Sequence, residues 1–597
     1  MKKKNIYQVF TRLFGNTQTE FTPWGTPQQN GLGKFSHFTD KALEEINKLG
    51  ISHIWYTGVP HHAVIQDYTG IGIENDHPSV VKGRAGSPYA VKDYYSVNPD
   101  LADNPAQRNE EFAALIQRTH KAGMKVIIDI VPNHVARVYK GQNNPKGVID
   151  FGAEDDTSQE YTRDNNFYYI PNQAFELPDE LEQHPPLGGE QHPSLNQPFH
   201  EFPAKWTGNG SRLAKPNFDD WFETVKVNYG VRPDGSKDFA TLPEDYRDKP
   251  HQAHFEFWQQ QSVPSSWVKF KDIALYWTEQ GVDGFRYDMA EMVPVEFWSY
   301  MNSWIKHKNP DAFLMAEVYQ PDLYRDYIQM GKMDYLYDKV DLYDSLKAVM
   351  QNKGSTREIG RIQHQLADIE HHMLHFLDNH DEQRVASPEF AGCAEKGKPA
   401  MLISTCLSTA PTMIYFGQEV GEPGAENAGF GQASRTSIFD YIGVPHHQRW
   451  MNHGEFDGGL LSESEKALRE FYKTLLNLAL DSPALLGQYH DLYAANFDNF
   501  ADMQDQLFAF ARSSATQKLI IATNFDARRD KDIGLIIPSS LITEWQLSDG
   551  EYSLTNQLNE QTLSLIVTKG VGRIAIHFSP LDCLFLNLDE FTTKEPA

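Results

Sequence analysis

Acidic residues and histidines follow several short apolar runs of this sequence, and side chains of these types carry out acid–base and nucleophilic catalysis. The groups are Asp129 with Asn133–His134, Arg286–Tyr287–Asp288, Glu317, and Asp378–Asn379–His380–Asp381. A single carboxylate such as Asp129 is more often structural, and single histidines are often bonded within a core. Burying several charged groups together is costly unless they are used, so we interpret the set as an active site.

Two of these carboxyl groups, Asp288 and Glu317, have different predicted surroundings. Successive side chains of a strand alternate faces, so Arg286 and Asp288 point the same way and the cation keeps Asp288 ionised as a nucleophile. Glu317 follows Met315–Ala316, and an apolar surround raises the pKa of a carboxyl group, which keeps it protonated as a general acid. Retaining glycoside hydrolysis needs such a pair, one carboxyl group ionised and one protonated, held about 5–5.5 Å apart. We expect Asp381 to close a third side of the site.

A repeated unit of amphipathic helix, glycine and apolar strand must position these groups, as in Asp40–Leu49, Gly50 and Ile51–Tyr56. The predicted strands are Ile6–Phe10, Ile51–Tyr56, Lys125–Val131, Gly284–Asp288, Phe313–Val318, Tyr335–Tyr337, His372–Leu377 and Thr412–Phe416. Alternating helices and buried strands imply parallel pairing, and eight such units close as an α/β fold, the (β/α)₈ TIM barrel, with its chemistry at the carboxyl ends of the strands. An open doubly wound sheet is the alternative.

Two segments depart from this repeat. Residues 135–263 are rich in Pro, Gly, His, Asn and aromatic residues and are too long for a loop, which predicts a subdomain inserted after strand 3. After the predicted helix Ser464–Leu480 the apolar period becomes two, which predicts a C-terminal antiparallel β-sandwich over residues 486–597. The barrel is therefore expected in two parts, residues 1–134 and 264–485.

Composition excludes several classes of partner. The 597 residues carry 54 Lys+Arg and 81 Asp+Glu, a net charge of −27, so we expect no nucleic acid and no membrane partner and favour a neutral ligand. With 40% hydrophobic residues the chain is globular rather than disordered. Three cysteines without CxxC spacing, no visible signal peptide and no apolar span of about 20 residues lead us to expect a cytoplasmic protein.

The groups at the strand ends resemble the four sequence regions of the α-amylase superfamily of glycoside hydrolases. These are Asp129–Val135 (DIVPNHV), Gly281–Asp288 (GVDGFRYD), Ala316–Tyr319 (AEVY) and Phe376–Asp381 (FLDNHD). Ser87–Asp93 resembles the family's segment after strand 2, and Pro411–Glu419 resembles its eighth strand. The resemblance spans about residues 6–480, and it implies that the inserted subdomain and the C-terminal tail are the family's domains B and C.

The resemblance also implies roles for individual residues. It implies that Asp288 is the nucleophile, that Glu317 is the acid/base, and that Asp381 holds the distorted sugar through its hydroxyls. For substrate binding it implies that His134 and His380 hydrogen-bond the sugar, that Arg286 orients the nucleophile, that Tyr89 stacks on the sugar, and that Asp93 supports the site. Packing in the core is an equally good interpretation of Tyr89 from sequence. Trp24, Trp55, Trp206 and Trp221 line glucan subsites or belong to the core.

A structural calcium ion is a further expectation. Asn133 matches a family position that often binds Ca²⁺, and oxygens of Asp219 or Asp220 would join it, although an ordinary structural asparagine fits as well. His61–His62 and His371–His372 do not predict a transition-metal site, because neighbouring histidines on a strand face opposite ways.

We therefore hypothesise a retaining hydrolase of α-1,4 bonds in maltooligosaccharides or starch-like α-glucans, acting through a glycosyl-Asp288 intermediate. A transglycosylase or an exo-acting α-glucosidase using the same site is the alternative, and a non-catalytic carbohydrate-binding barrel is a third. Endo-acting α-amylases usually follow the nucleophile with a Lys-His pair, where this chain has Glu291–Met292. The run Asp288–Trp298 is partly similar to the neopullulanase and cyclomaltodextrinase group instead.

Overall fold

The computed structural model describes residues 2–499, 503 and 505–589, and in them eight parallel strands form a closed barrel. The strands are β1 (Asn5–Phe10), β2 (His53–Thr57), β3 (Lys125–Ile130), β4 (Gly284–Tyr287), β5 (Phe313–Ala316), β6 (Tyr335–Tyr337), β7 (Met373–Phe376) and β8 (Thr412–Tyr415). Each pairs with its neighbours in chain order, and β1 pairs with β8 in the register Asn5↔Thr412. The TIM-barrel prediction is confirmed, and the open sheet is excluded because the first and last strands are bonded.

The barrel strands are connected by helices that cover their outer faces. The helices are α1 (Asp40–Lys48), α2 (Arg108–Lys121), α3 (Ser265–Glu279), α4 (Val295–Lys308), α5 (Tyr324–Gln329), α6 (Arg357–Gln365), α7 (Gly397–Cys406) and α8 (Glu463–Asp481). The hydroxyl of Thr39 caps α1 by accepting from the Ala42 N–H at 3.1 Å. Gly50 ends this unit with φ 94°, and a Cβ there would lie 2.8 Å from the nitrogen of Asn477 in α8. The predicted helix–glycine–strand unit therefore follows from local capping and close packing.

Shorter elements lie between the barrel units. Hydrogen-bonded strand pairs are Pro60–His62 with Val91–Val97, His134–Ala136 with Thr224–Lys226, and Tyr169–Ile170 with Ala204–Lys205. Short helices span Thr11–Phe14, Pro27–Asn30, His251–Gln259, Asp344–Met350, Pro445–Met451, Tyr493–Asn496 and Ser539–Glu544. The barrel strands are buried almost throughout because helices cover them outside, which explains their continuous apolar runs.

The inserted segment after β3 contributes Phe175, Ala204 and Phe222 to a small apolar core that also contains Val80 of the segment after β2. Its helix His251–Gln259 packs instead on the barrel. There the indole N–H of Trp258 donates to Ser299 Oγ of α4 at 2.7 Å, and its ring lies 5.4 Å from that of Trp267 in α3. The end of the irregular segment thus joins the helical layer of the barrel.

The C-terminal region is antiparallel, as predicted. Its described strands form one eight-stranded sheet in the order Gln488–Asp491, Leu507–Ser513, Lys518–Asn524, Cys583–Leu588, Gly550–Asn556, Thr562–Thr568, Val571–Phe578 and Lys531–Ile537. Three of these strands, Gln488–Asp491, Lys531–Ile537 and Gly550–Asn556, are not predicted from the sequence, and Gly550–Asn556 lacks a clear apolar alternation. Across the residues described here, no helix combines the length and the apolar character needed to span a membrane.

Candidate active site

The carboxyl ends of the barrel strands open into one cavity of about 360 Å³, and the side chains of Asp288, Glu317 and Asp381 line it. Asp288 directly follows β4 and Glu317 directly follows β5. The two strands pair in the register Tyr287↔Ala316, so the next residue on each strand meets its counterpart. Asp381 lies in the segment after β7. The geometry therefore gathers the three carboxyl groups that the sequence places far apart.

A fully buried Arg286 faces the two carboxyl groups on β4 and β5. Its Nη1 donates to Asp288 Oδ1 at 2.8 Å, and its Nη2 lies 3.3 Å from Glu317 Oε2. Nη1 also lies 3.6 Å from Asp129 Oδ1, because Arg286 and Asp129 are register partners on β4 and β3. The indole N–H of Trp55 donates to the other Asp129 oxygen at 2.9 Å. One buried cation thus compensates several buried carboxylates, and Asp129 lies beneath the cavity as a partner of Arg286.

Glu317 is surrounded by donors while remaining buried. The hydroxyl of Tyr319 donates to its Oε1, and the backbone N–H of Met289 donates to its Oε2 at 2.9 Å. Burial raises the pKa of Glu317 to about 7; Arg286 opposes this rise, and the negative charge of Asp288 adds to it. A carboxyl group with this pKa is protonated in a large fraction of molecules near neutral pH and can act as a general acid.

The other two carboxyl groups have different environments. Burial raises the pKa of Asp288, and the Arg286 guanidinium opposes that rise by its charge and its hydrogen bond. Burial acts on Asp381 in the same direction, but the neighbouring His380 outweighs it and lowers the Asp381 pKa to about 2. His380 Nε2 lies 3.0 Å from Asp381 Oδ2, whose side chain is 41% exposed. The site thus holds an acid with a pKa near neutrality beside a carboxylate that stays ionised.

Tyr89, His380 and His134 lie around the same carboxyl groups. The Tyr89 hydroxyl and His380 Nε2 are 2.5 Å apart, and the two rings stack with centroids 5.3 Å apart. Gln8 Nε2 lies 2.8 Å from the other His380 nitrogen, Nδ1. His134 lines the cavity, and burial lowers its pKa to about 3, so it is a neutral imidazole at physiological pH. These side chains offer polar edges and ring faces suited to a sugar.

Asp93 lies outside this cavity, contrary to the expectation that it belongs with the substrate-binding residues. Its carboxylate accepts from the backbone N–H groups of Tyr95 and Gln142, each at 2.9 Å. It therefore connects the strand Val91–Val97 to the inserted segment. Both oxygens are taken by backbone donors, one in the same strand and one 49 residues further along the chain, which the family motif alone does not indicate.

Of the four tryptophans considered from sequence, Trp221 lines the cavity and lies 5.5 Å from the His134 ring. Trp55 lies inside the barrel on Asp129, and Trp206 stacks on Tyr168 at 4.3 Å. Trp24 contacts the segment after β8 through its backbone N–H, which donates to a carbonyl there at 2.9 Å.

The surroundings of Asn133 do not fit calcium. Lys226 Nζ donates to Asn133 Oδ1 and lies 3.2 Å from the Met292 carbonyl, and Asn133 Nδ2 donates to the Gly208 carbonyl at 2.9 Å. Burial lowers the pKa of Lys226 to about 8. An ammonium group therefore binds the oxygen that a calcium ion would need, whereas Ca²⁺ takes six to eight oxygen ligands. The other expected ligand, Asp220, accepts instead from Asn209 and Asn217.

Within the described part of the chain, no three or more His, Cys, Asp or Glu side chains are grouped to hold a metal. Of the histidine pairs considered from sequence, His62 Nδ1 lies 2.9 Å from the carbonyl of Ala63, whereas His371 and His372 lie in a short 3-10 helix with ring centroids 4.1 Å apart and not on a strand as expected. Neither pair converges on a common point with a third ligand.

Several cavity residues were not identified from sequence. They include Lys82, Glu223, Arg435 and Phe439, which come from the segments after β2 and β8 and from the inserted segment. Lys82 stands shortly before the family-like segment Ser87–Asp93, which was the one available signal. Their positions depend on contacts between segments that are distant along the chain.

The chain is similar to a known protein family, to curated relatives and to solved structures. A family model described as alpha amylase, catalytic domain, matches residues 8–212 and 246–457. Neopullulanase 2 of Thermoactinomyces vulgaris is 22% identical over 88% of this chain and 69% of its own length. Alpha-amylase MalA of Haloarcula japonica is 23% identical over 87% of this chain, which spans about half (55%) of that relative. The crystal structure of an alpha-amylase from Geobacillus thermoleovorans, complexed with acarbose, matches with a TM-score of 0.59 and 18% identity, covering 99% of both chains.

Proposed function

Because this chain belongs to the alpha-amylase family of glycoside hydrolases, we propose that it hydrolyses α-1,4 bonds of maltooligosaccharides and starch-like α-glucans with retention of configuration. One observation carries the proposal. Asp288 and Glu317, at the ends of adjacent strands, face the same Arg286 guanidinium at 2.8 and 3.3 Å. That arrangement keeps the two carboxyl groups close, and retaining enzymes need a separation of about 5–5.5 Å.

In the first step, Asp288 attacks the anomeric carbon of the sugar bound above it, while protonated Glu317 gives its proton to the glycosidic oxygen. The bond between the anomeric carbon and that oxygen breaks, and the leaving chain departs with a new hydroxyl. The product on the enzyme is a β-linked glycosyl ester of Asp288. Arg286 orients Asp288 for this attack through its hydrogen bond.

In the second step, Glu317 is a carboxylate and takes a proton from a water molecule, whose oxygen attacks the same carbon. The ester bond breaks, Asp288 is released as a carboxylate, and the sugar leaves as the α-anomer. The Met289 N–H and the Tyr319 hydroxyl stabilise the ionised form of Glu317 that this step needs.

The remaining residues bind the sugar. Asp381 stays ionised at working pH and accepts hydrogen bonds from sugar hydroxyls, which strengthens as positive charge develops on the ring. His134, a neutral imidazole, and His380 hydrogen-bond the same sugar, and Tyr89 presents its ring to the apolar sugar face.

The test is to follow maltoheptaose with the purified protein by ¹H NMR, reading product length and the anomer of fresh product. Fresh α-anomer is expected, and Asp288→Asn should abolish it. Asp311→Asn, which changes an exposed carboxylate outside the cavity, is the matched control and should behave as the unaltered protein. Fresh β-anomer would contradict retention, and products longer than maltoheptaose would indicate glycosyl transfer in place of hydrolysis.

A further inference from the structure

We propose that an ion pair between Lys82 and Glu223 closes the cavity on its glycone side, so that the enzyme removes short units from the non-reducing end of the chain. The inference rests on the proposed function and specifies its mode of attack. It concerns the side of the cavity that holds the sugar to be attached to Asp288.

The order of strands identifies that side. Glu317 follows β5 and protonates the leaving group, so the leaving chain extends over the β4 and β5 side of the barrel. In a closed barrel of eight strands in chain order, β1 lies opposite β5. The segments after β8, β1 and β2 therefore lie opposite Glu317, on the side of the glycone. Lys82 belongs to the segment after β2, and Phe439 belongs to the segment after β8.

These segments are bonded to one another rather than separated by an open groove. The backbone N–H of Ala85 donates to the carbonyl of Phe439 at 2.9 Å. Arg12, in the short helix Thr11–Phe14 after β1, donates to the carbonyls of Ala85 at 3.3 Å and Ile438 at 2.6 Å. Gly83 has φ 63°, and a Cβ there would lie 2.2 Å from the Phe439 carbonyl oxygen. The contact between the two segments is thus close along its length.

A second seam, that is, another line of close contacts, joins the segments after β1, β2 and β8 to the inserted segment. Trp24 donates its backbone N–H to the carbonyl of Ala428 at 2.9 Å, and its own carbonyl accepts from Arg84 Nε at 2.9 Å. The same arginine forms an ion pair with Glu190 of the inserted segment. Segments after β1, β2 and β8 therefore meet the inserted segment at Trp24, which supports a wall rather than a mobile flap.

The ion pair of Lys82 and Glu223 completes this wall inside the cavity. Lys82 Nζ lies 2.7 Å from Glu223 Oε1 and 5.8 Å from the centre of the Phe439 ring. Glu223 directly precedes the strand Thr224–Lys226 of the inserted segment. The pair therefore bridges a barrel loop and the inserted segment across the cavity that also holds the catalytic carboxyl groups.

The second oxygen of Glu223 indicates what binds there. The Glu223 side chain is 5% exposed, and its Oε2 is buried with no hydrogen-bond partner among the described residues. A buried acceptor needs a donor, and the hydroxyls of a terminal glucose supply one. When the glucose bound there is not the terminal one, its 4-hydroxyl is replaced by a glycosidic oxygen, which cannot donate a hydrogen bond. A site that hydrogen-bonds a substrate hydroxyl strongly rejects the analogue without it.

The experiment compares two p-nitrophenyl α-maltoheptaosides, one with a free non-reducing end and one blocked there by a 4,6-O-ethylidene group, with products separated by chromatography. The unaltered protein should cleave the blocked substrate at least about 100-fold more slowly. Its first products should have one or two lengths. Glu223→Ala and Lys82→Ala should each raise the ratio of blocked to free cleavage at least about 10-fold. Glu74→Ala, which removes the ion pair with Lys140 outside this cavity, should leave the ratio unchanged.

Each alternative result has a distinct meaning. Equal rates on both substrates would overturn the closed glycone side while leaving the proposed hydrolysis intact. Refusal of the blocked substrate by the unaltered protein and by both variants alike would overturn the assignment to Lys82 and Glu223. Absence of cleavage of either substrate by the unaltered protein would contradict the proposed function itself, and this inference with it.

Discussion

The backbone N–H of Met289 donates to Glu317 Oε2 at 2.9 Å from a left-handed conformation with φ 46°. A non-glycine residue in this region carries strain of about 1–3 kcal/mol, which persists where surrounding structure holds it. Met289 directly follows Asp288, so one strained turn connects the proposed nucleophile to the proposed acid. Together with Tyr319 it gives Glu317 a donor on each oxygen, and Arg286 Nη2 lies 3.3 Å from Oε2. These donors stabilise the carboxylate that Glu317 becomes once its proton has been transferred.

Activity should depend on the protonation of Glu317. Burial raises its pKa to about 7, and the first step uses the protonated form, so kcat/KM should fall as the pH rises through about 7. In acid, kcat/KM should fall again as Asp288 becomes protonated. A pH–rate profile on maltoheptaose measures both limbs. With α-maltosyl fluoride, whose leaving group needs no proton, Glu317→Gln should retain kcat/KM for fluoride release, which reports the first step alone, without the alkaline limb; an alkaline limb at the same pH would contradict the assignment.

Tyr319→Phe should move the alkaline limb to higher pH. The Tyr319 hydroxyl donates to Glu317 and lowers its pKa, so its removal disfavours the ionised form. A hydrogen bond contributes about 0.5–1.5 kcal/mol and one pKa unit is about 1.36 kcal/mol, so the expected shift is about 0.5–1 unit. Tyr56→Phe, which loses a hydroxyl contact with Thr119 instead, is the control and should leave the profile in place. A downward shift in Tyr319→Phe would be incompatible with this role.

Asp288→Ala should lower kcat by at least about 10³-fold, because the glycosyl ester cannot form. Sodium azide should restore turnover of α-maltosyl fluoride by attacking the anomeric carbon from the face that Asp288 leaves open, and NMR should identify a β-glycosyl azide. Asp381→Asn should also lose activity but form no azide product, and circular dichroism should show it folded, since that side chain is 41% exposed. An α-configured azide would place the nucleophile elsewhere.

We expect the Lys226 ammonium group, and not a bound metal ion, to stabilise the region around Asn133. Lys226→Ala leaves a buried amide oxygen without its donor, so the free energy of unfolding in urea should fall by about 1–3 kcal/mol. Lys249→Ala, which removes a surface pair with Asp245 and a contact with the face of the Tyr246 ring, should change it by less than about 1 kcal/mol. The Tm of the unaltered protein should be the same in EDTA and in CaCl₂. A clear loss of Tm in EDTA would show that a bound ion, not Lys226, stabilises this region.

Gly83→Ala should disturb the seam between the segments after β2 and β8. The position has φ 63°, and a Cβ there would lie 2.2 Å from the Phe439 carbonyl oxygen. The free energy of unfolding should therefore fall by about 1–3 kcal/mol. Gly70→Ala is the control, because in the described structure no other atom lies within 4 Å of the Cβ position and the change should stay within about 0.5 kcal/mol. Equal denaturation curves for the two variants would show that the seam is not close-packed.

Local patterns were sufficient to predict the barrel units. Apolar periodicity, a capping residue such as Thr39 and a glycine such as Gly50 act over a few residues, so the strands and helices were placed to within a few positions. The polar strand Gly550–Asn556 was missed because its pairing with neighbours, not its own alternation, makes it a strand.

By itself, the sequence determined which carboxyl groups end the barrel strands, and strand alternation already placed Arg286 on the same face as Asp288. Only the tertiary structure decided what meets across long stretches of chain. In the structure Lys226 donates to Asn133, and Asp93 accepts from backbone N–H groups. Lys82 forms an ion pair with Glu223. These contacts join loops whose paths depend on packing between distant segments, and no periodicity within a loop encodes its partner. The residue types that carry the chemistry can therefore be predicted from the sequence, whereas the shape of the cavity depends on the tertiary structure.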